Sequence, residues 1–193
     1  MIPVVRIWTP DEMRVRIAKF SELKGSLGGF PDSYPPGCER EIMNVIGFQP
    51  QESDQRYVSP MGADASKKAA IPISEDFNLG LARCKPGCGP LMHNHDTNET
   101  FTPITGRWRC GWNEGEAYEC VEVGPYDVVS FPPGLARNFV DLTNDEPDQQ
   151  YLLLFIVAGN APKAEFTPGA SNYRQSQRRF VHRPITIFRN VST

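Results

Sequence analysis

The apolar positions of this chain come in short blocks, most of them alternating with polar positions, and Gly and Pro separate the blocks. Period-two alternation marks half-buried strands. It predicts strands over residues 42–48, 77–84, 91–105, 107–113, 117–123, 126–131, 136–142 and 150–158. The run Tyr151–Val157 is continuously apolar, which predicts burial of both faces, one lining a barrel and the other packing on the N-terminal segment or a second subunit. Gly106 and Pro132-Pro133-Gly134 punctuate successive strands as turn residues. Thr9-Pro10-Asp11-Glu12 predicts a short helix, with Thr9 as cap, Pro10 in the first position and Glu12 closing a capping box. Residues 21–39 read as loop. The polar stretch 49–70 reads as a long excursion, either a lid over a barrel mouth or a disordered segment. No long helix is predicted. The class is all-β, in one domain: an N-terminal extension (1–75), a barrel core (76–160) and a C-terminal tail (161–193).

Composition narrows the partners. The chain has 193 residues, enough for a sizeable core, and a net charge of −3, which does not suit nucleic acid. Its mean hydropathy is −0.42, and no apolar run approaches a membrane span. The N-terminus lacks a charged segment followed by an apolar one, so a cytoplasmic location is expected. The five Cys are then expected as free thiols. Cys84 with Cys88, and Cys110 with Cys120, are the pairs that could meet, the second if the hairpin loop is residues 114–116. The tail carries Arg174, Arg178, Arg179, Arg183 and Arg189 without an acid, and its expected partners are the chain's own acidic loops, in cis or across a homodimer. Ile185–Phe188 alternates like a strand that could extend a sheet edge.

Candidate chemistry is concentrated in one segment. Two of the three His, His93 and His95, stand two apart, and Glu99 follows four residues later. On an extended strand these even steps share a face. Two imidazoles and a carboxylate suit a first-row divalent ion with coordination positions left open; Fe2+ is favoured, and Zn2+, Mn2+ or Ni2+ are compatible. His182, in the tail, is a further ligand only if the tail folds back.

The frame around these residues resembles the first motif of the cupin superfamily: Gly, five residues, His-x-His, three or four residues, Glu, six residues, Gly, here Gly87, His93, His95, Glu99 and Gly106. The resemblance implies a double-stranded β-helix, or jelly-roll, barrel with the two His and the Glu as metal ligands. The second motif departs from the family. Aligned on Pro132 and Gly134, Tyr126 stands for its Gly, Arg137 for its His ligand and Asp141 for its Asn. A guanidinium has only donors and cannot coordinate a cation.

Arg137 therefore leaves three readings open. It clamps the acid or enolate of a substrate beside a three-ligand metal, it pairs with Glu99 in a site without metal, or its strand is shifted and it faces solvent. The resulting expectation is a metal-dependent cupin enzyme, foremost a dioxygenase acting on a small organic acid or enol, aromatic or not. Arg137 would bind the anion and Tyr126 would donate a proton. The alternatives are a non-redox isomerase or lyase using the metal as a Lewis acid, and a metal-free cupin that binds a small anion. Phe101, Trp108, Trp112, Tyr126 and Phe139 either line the pocket or fill the core.

Overall fold

The computed structural model describes residues 3–28, 30–47, 69–73, 75–146 and 149–181. A short helix α1 (Pro10–Arg14) opens the chain, and Thr9 and Glu12 cap it reciprocally as the spacing predicts. The strands are β1 (Gly25–Ser26), β2 (Arg40–Ile46), β3 (Phe77–Cys84), β4 (His93–His95), β5 (Glu99–Pro103), β6 (Trp108–Trp112), β7 (Glu119–Val123), β8 (Val129–Phe131), β9 (Arg137–Asp141), β10 (Tyr151–Ala158) and β11 (Ala164–Phe166). A helix α2 (Pro168–Val181) follows.

Two antiparallel sheets form a barrel. The larger runs β1-β2-β3-β10-β5-β8 and the smaller β11-β4-β9-β6-β7. Every second residue of β5, β9 and β10 is buried, as a one-sided sheet requires. The inward faces meet in a core of Ala82, Phe101, Trp108, Cys110, Phe131, Phe139, Leu153, Phe155 and Val157. Rings stack edge-to-face within it, Phe101 against Phe131 and Phe139 with centroids 5.5 and 5.2 Å apart. Phe101 and Trp108 thus belong to the core.

Several local expectations change. The predicted strand 91–105 breaks into β4 and β5, which lie in different sheets. In the β6–β7 hairpin Cys110 pairs with Val121 and Gly111 with Cys120. This one-residue offset puts the two thiols on opposite faces, Cys110 buried and Cys120 exposed, and all five Cys are free. The outer face of β10 is only partly covered, since Leu152 and Leu154 are half-buried and Ile156 is exposed. The N-terminal segment reaches this face at Arg83, whose guanidinium lies 5.8 Å from the Phe20 ring. The loop predicted over 21–39 contains β1, and residues 161–181 contain β11 and α2. Thr167 caps α2, its hydroxyl accepting from the Ala170 N–H at 3.3 Å, with Pro168 in the first position. The 49–70 excursion, His182, the distal arginines Arg183 and Arg189 and the 185–188 strand lie outside the described residues, apart from Ala69 and Ala70.

Two glycines position the motif segment. Gly106 has φ +77, and a Cβ there would lie 2.5 Å from the Thr143 hydroxyl oxygen and 2.9 Å from Tyr151. At Gly89 a Cβ would meet the Phe139 carbonyl oxygen at 1.8 Å. This close approach lets the 87–89 loop pair with β9, where the Gly87 N–H donates to the Asp141 carbonyl at 2.7 Å.

Candidate metal centre

The two His of β4 point from the smaller sheet, and Glu99, first residue of β5, points from the larger one. The chain crosses between sheets at 96–98. The Asp96 carboxylate accepts from the Lys163 N–H at 2.7 Å, and the Asn98 amide donates to the Phe131 carbonyl at 2.9 Å. The three side chains converge because the sheets face each other, not because one strand continues. One ligand atom from each of His93, His95 and Glu99 lies within 4.8 Å of the other two. The imidazole centroids are 5.0 Å apart and the planes nearly perpendicular, at 83°. The fold is a double-stranded β-helix, two facing antiparallel sheets closed into a barrel of cupin type.

Hydrogen bonding fixes the state of each ligand. His93 Nδ1 lies 2.8 Å from the Leu91 carbonyl and His95 Nδ1 lies 2.9 Å from the Lys163 carbonyl. A carbonyl only accepts, so both Nδ1 atoms carry the proton and both Nε2 lone pairs are free for the interior. Backbone carbonyls orient metal-binding imidazoles in this way. His95 Nε2 makes no hydrogen bond, yet it lies 3.1 Å from Glu99 Oε2. Arg137 Nε donates to the same Oε2 at 3.1 Å, but on the side facing His95 two lone pairs this close, at residues 1% and 5% exposed, still repel unless a positive charge lies between them. A divalent ion supplies it, and so would a proton. The cradle of His93, His95 and Glu99 therefore fits a metal.

Electrostatics point the same way. Burial, then the neighbouring His95, pushes the His93 pKa down to about 4 against the pull of Glu99. Burial alone would raise Glu99, but His95, Arg137 and His93 together outweigh it and hold the carboxyl at about 2. At neutral pH His93 is thus neutral and Glu99 ionised, the states that metal binding requires.

Arg137 opens β9 opposite His93. It is fully buried. Its Nε donates to Glu99 Oε2 at 3.1 Å and its Nη1 to the Leu135 carbonyl at 2.8 Å, while Nη2 makes no hydrogen bond. Of the three sequence readings the geometry matches the pairing with Glu99. Tyr126 is not brought to the centre. Its N–H donates to the carbonyl of Pro103, at the end of β5 remote from Glu99, and the side chain is 78% exposed. It takes φ +73, in the left-handed region where the cupin second motif has Gly.

A cavity beside the triad has an empty volume of about 520 Å³, open solvent at the mouth included. Phe30, Phe139, Phe155 and Phe166 give it apolar walls; Asp32, Arg40 and Glu165 add charge. Arg137 is not on its wall. Of the aromatic residues singled out in the sequence, Phe139 alone reaches it. The sequence did not disclose Asp32 and Arg40, which form a buried ion pair at 2.8 Å. They lie in and beside a Gly- and Pro-rich stretch without periodicity, so no local signal marks them.

No family model and no curated protein matches the chain. Among solved structures, an oxalate decarboxylase variant from Bacillus subtilis aligns at 18% identity and a TM-score of 0.46, over 73% of this chain and 28% of its own. An oxalate decarboxylase formate complex from Lactobacillus farciminis aligns at 11% and 0.49, over 84% and 38%. A cupin-2 domain containing protein from Shewanella frigidimarina aligns at 15% and 0.36, over 46% and 76%. The chain spans well under half the length of either decarboxylase. No activity carries over from likenesses this distant. Among the described residues no helix is long and apolar enough to cross a membrane.

Proposed function

We propose that this cupin is a metal-dependent enzyme acting on a small organic anion, foremost as a dioxygenase. The observation that carries the metal is the bare His95 Nε2 facing Glu99 Oε2, with both Nδ1 atoms tied to carbonyls. His93, His95 and Glu99 would hold one divalent ion. Such an ion with open positions supplies Lewis-acid or oxygen chemistry. Arg137 holds the Glu99 carboxylate in place and, after His95, helps to keep it ionised.

Charge supports an anionic substrate. Asp32, Glu99, Glu165 and Arg40 leave the cavity wall at −2, and a divalent ion brings it to zero. Arg137, behind Glu99, then adds one buried positive charge that a monoanion balances. The apolar walls suit a substrate with a flat hydrocarbon body. The exposed Tyr126 has no part in this reading.

Elemental analysis of untagged protein, purified without chelator beside His93→Ala, is the direct test. About one equivalent of metal, lost in the variant, is expected. No metal, and no uptake when it is supplied, would refute the proposal. Turnover under strict anaerobiosis would exclude dioxygenation and leave an isomerase or lyase. A metal-free anion-binding cupin is the second reading, favoured by the Glu99–Arg137 pair. It predicts that chelators change neither melting temperature nor ligand binding.

A further inference from the structure

We infer that Arg40, on the N-terminal strand β2, recognises the acidic group of the ligand, and that the ligand is a monocarboxylate with an apolar body. The inference rests on the metalloenzyme reading for its charge balance. Arg137, the residue the sequence offers for this role, is sealed behind Glu99 and off the cavity wall. Arg40 lies on that wall and is 6% exposed. It pairs with Cys84 across β2–β3, and Cys84 faces the core, so Arg40 projects to the same interior side.

The guanidinium is already held for binding. Its Nη2 donates to Asp32 Oδ1 at 2.8 Å and its Nη1 to the Cys38 carbonyl at 2.9 Å. The Phe30 ring lies 4.4 Å from its central carbon. Asp32 is fixed in turn, its Oδ2 accepting from the Leu91 N–H at 3.0 Å, two residues before His93. These bonds use two of five donors, and a preorganised fork is what carboxylate recognition requires. Glu99 and Glu165 on the same wall repel an anion unless a divalent ion offsets them, so Arg40 and the ion act together. The four Phe of the wall take the rest of the molecule.

The test is calorimetric titration of the manganese-loaded protein with benzoate and with benzamide, its neutral isostere. Wild-type protein should prefer benzoate. Arg40→Gln should bind benzoate roughly 10- to 100-fold more weakly, with benzamide affinity and manganese content unchanged. Arg40→Lys should recover part of the loss, because charge returns without the fork. Arg40→Gln strands Asp32, so Asp32→Asn/Arg40→Gln carries the same expectation if the single variant does not fold. Undiminished benzoate binding in a manganese-loaded Arg40 variant overturns the assignment, as does equal affinity for the two probes in the wild type. A wild-type protein that takes up no manganese removes the metalloenzyme reading instead. In the metal-free protein Glu99 and Glu165 weaken benzoate binding in wild type and variant alike, so the fall in the benzoate-to-benzamide affinity ratio from wild type to Arg40→Gln then decides Arg40, and an unchanged ratio overturns the assignment.

Discussion

Replacing Arg137 by Met tests the site's electrostatics. The side chain is fully buried, and the change deletes the bonds to Glu99 Oε2 and to the Leu135 carbonyl at little cost in volume. Glu99, 5% exposed, then keeps its charge without its cation. Removing one partner of a buried pair costs about 3–5 kcal/mol. At about 2–4 °C per kcal/mol for a domain of this size, the metal-free variant should melt on the order of 10 °C lower. The metal should repair the defect, because it replaces the missing positive charge beside Glu99 without the repulsion of a guanidinium. Tenfold tighter metal binding in the variant adds about 1.4 kcal/mol to the gain on loading, or roughly 3–6 °C more than wild type gains. The penalty should also shrink with acid. In wild type Glu99 lies at about 2, below its ordinary 4.5, so it stabilises the fold above 4.5 and that contribution is lost as pH falls through about 2. Without Arg137 one of the groups that hold the carboxyl down is gone, so its pKa rises from that value against the remaining pull of His95, and protonation relieves the unpaired charge at a higher pH than in wild type. Scanning calorimetry of chelated and manganese-loaded protein at pH 5 and pH 8 reads all three effects. A chelated variant as stable as wild type at pH 8, or a metal-induced gain no larger than that of wild type, would refute the reasoning.

The chelated wild-type protein should lose stability between pH 6.5 and about 4 through His93. Its pKa is depressed on folding, so its contribution is present above the unfolded value and lost as pH falls through the folded one. A melting temperature flat from pH 7 to pH 4 would contradict this. Tyr126→Gly relieves a left-handed backbone at a side chain with little packing to lose. The strain relief of about 1–2 kcal/mol outweighs the added chain entropy of about 0.5–1 kcal/mol, so the melting temperature should hold or rise slightly. Manganese stoichiometry and benzoate affinity should be unchanged, and a loss of either would place Tyr126 in the site after all.

The sequence by itself determined most of the barrel strands, several turns and the grouping of His93, His95 and Glu99. Alternation is a local signal, and β3 begins and ends at the residues it predicts. Gly87, Gly106 and the spacing of His93, His95 and Glu99 are likewise local, because a turn and a strand set where those side chains can go. The tertiary structure decided everything that depends on which strands meet. Glu99 joins the two His from the opposite sheet, a relation that even spacing on one strand matches only by its outcome. Whether Arg137 faced a substrate, a carboxylate or water depended on the register of β9 against β4 and on its lying behind Glu99. The offset of Cys110 from Cys120 was a matter of one residue in a hairpin. The cavity wall draws Phe30 and Asp32 from a stretch that has no period, and Arg40 from the first position of β2 just beyond it. Their burial comes from contacts some sixty residues away in sequence, such as that of Asp32 with Leu91, and no local pattern encodes a contact at that range.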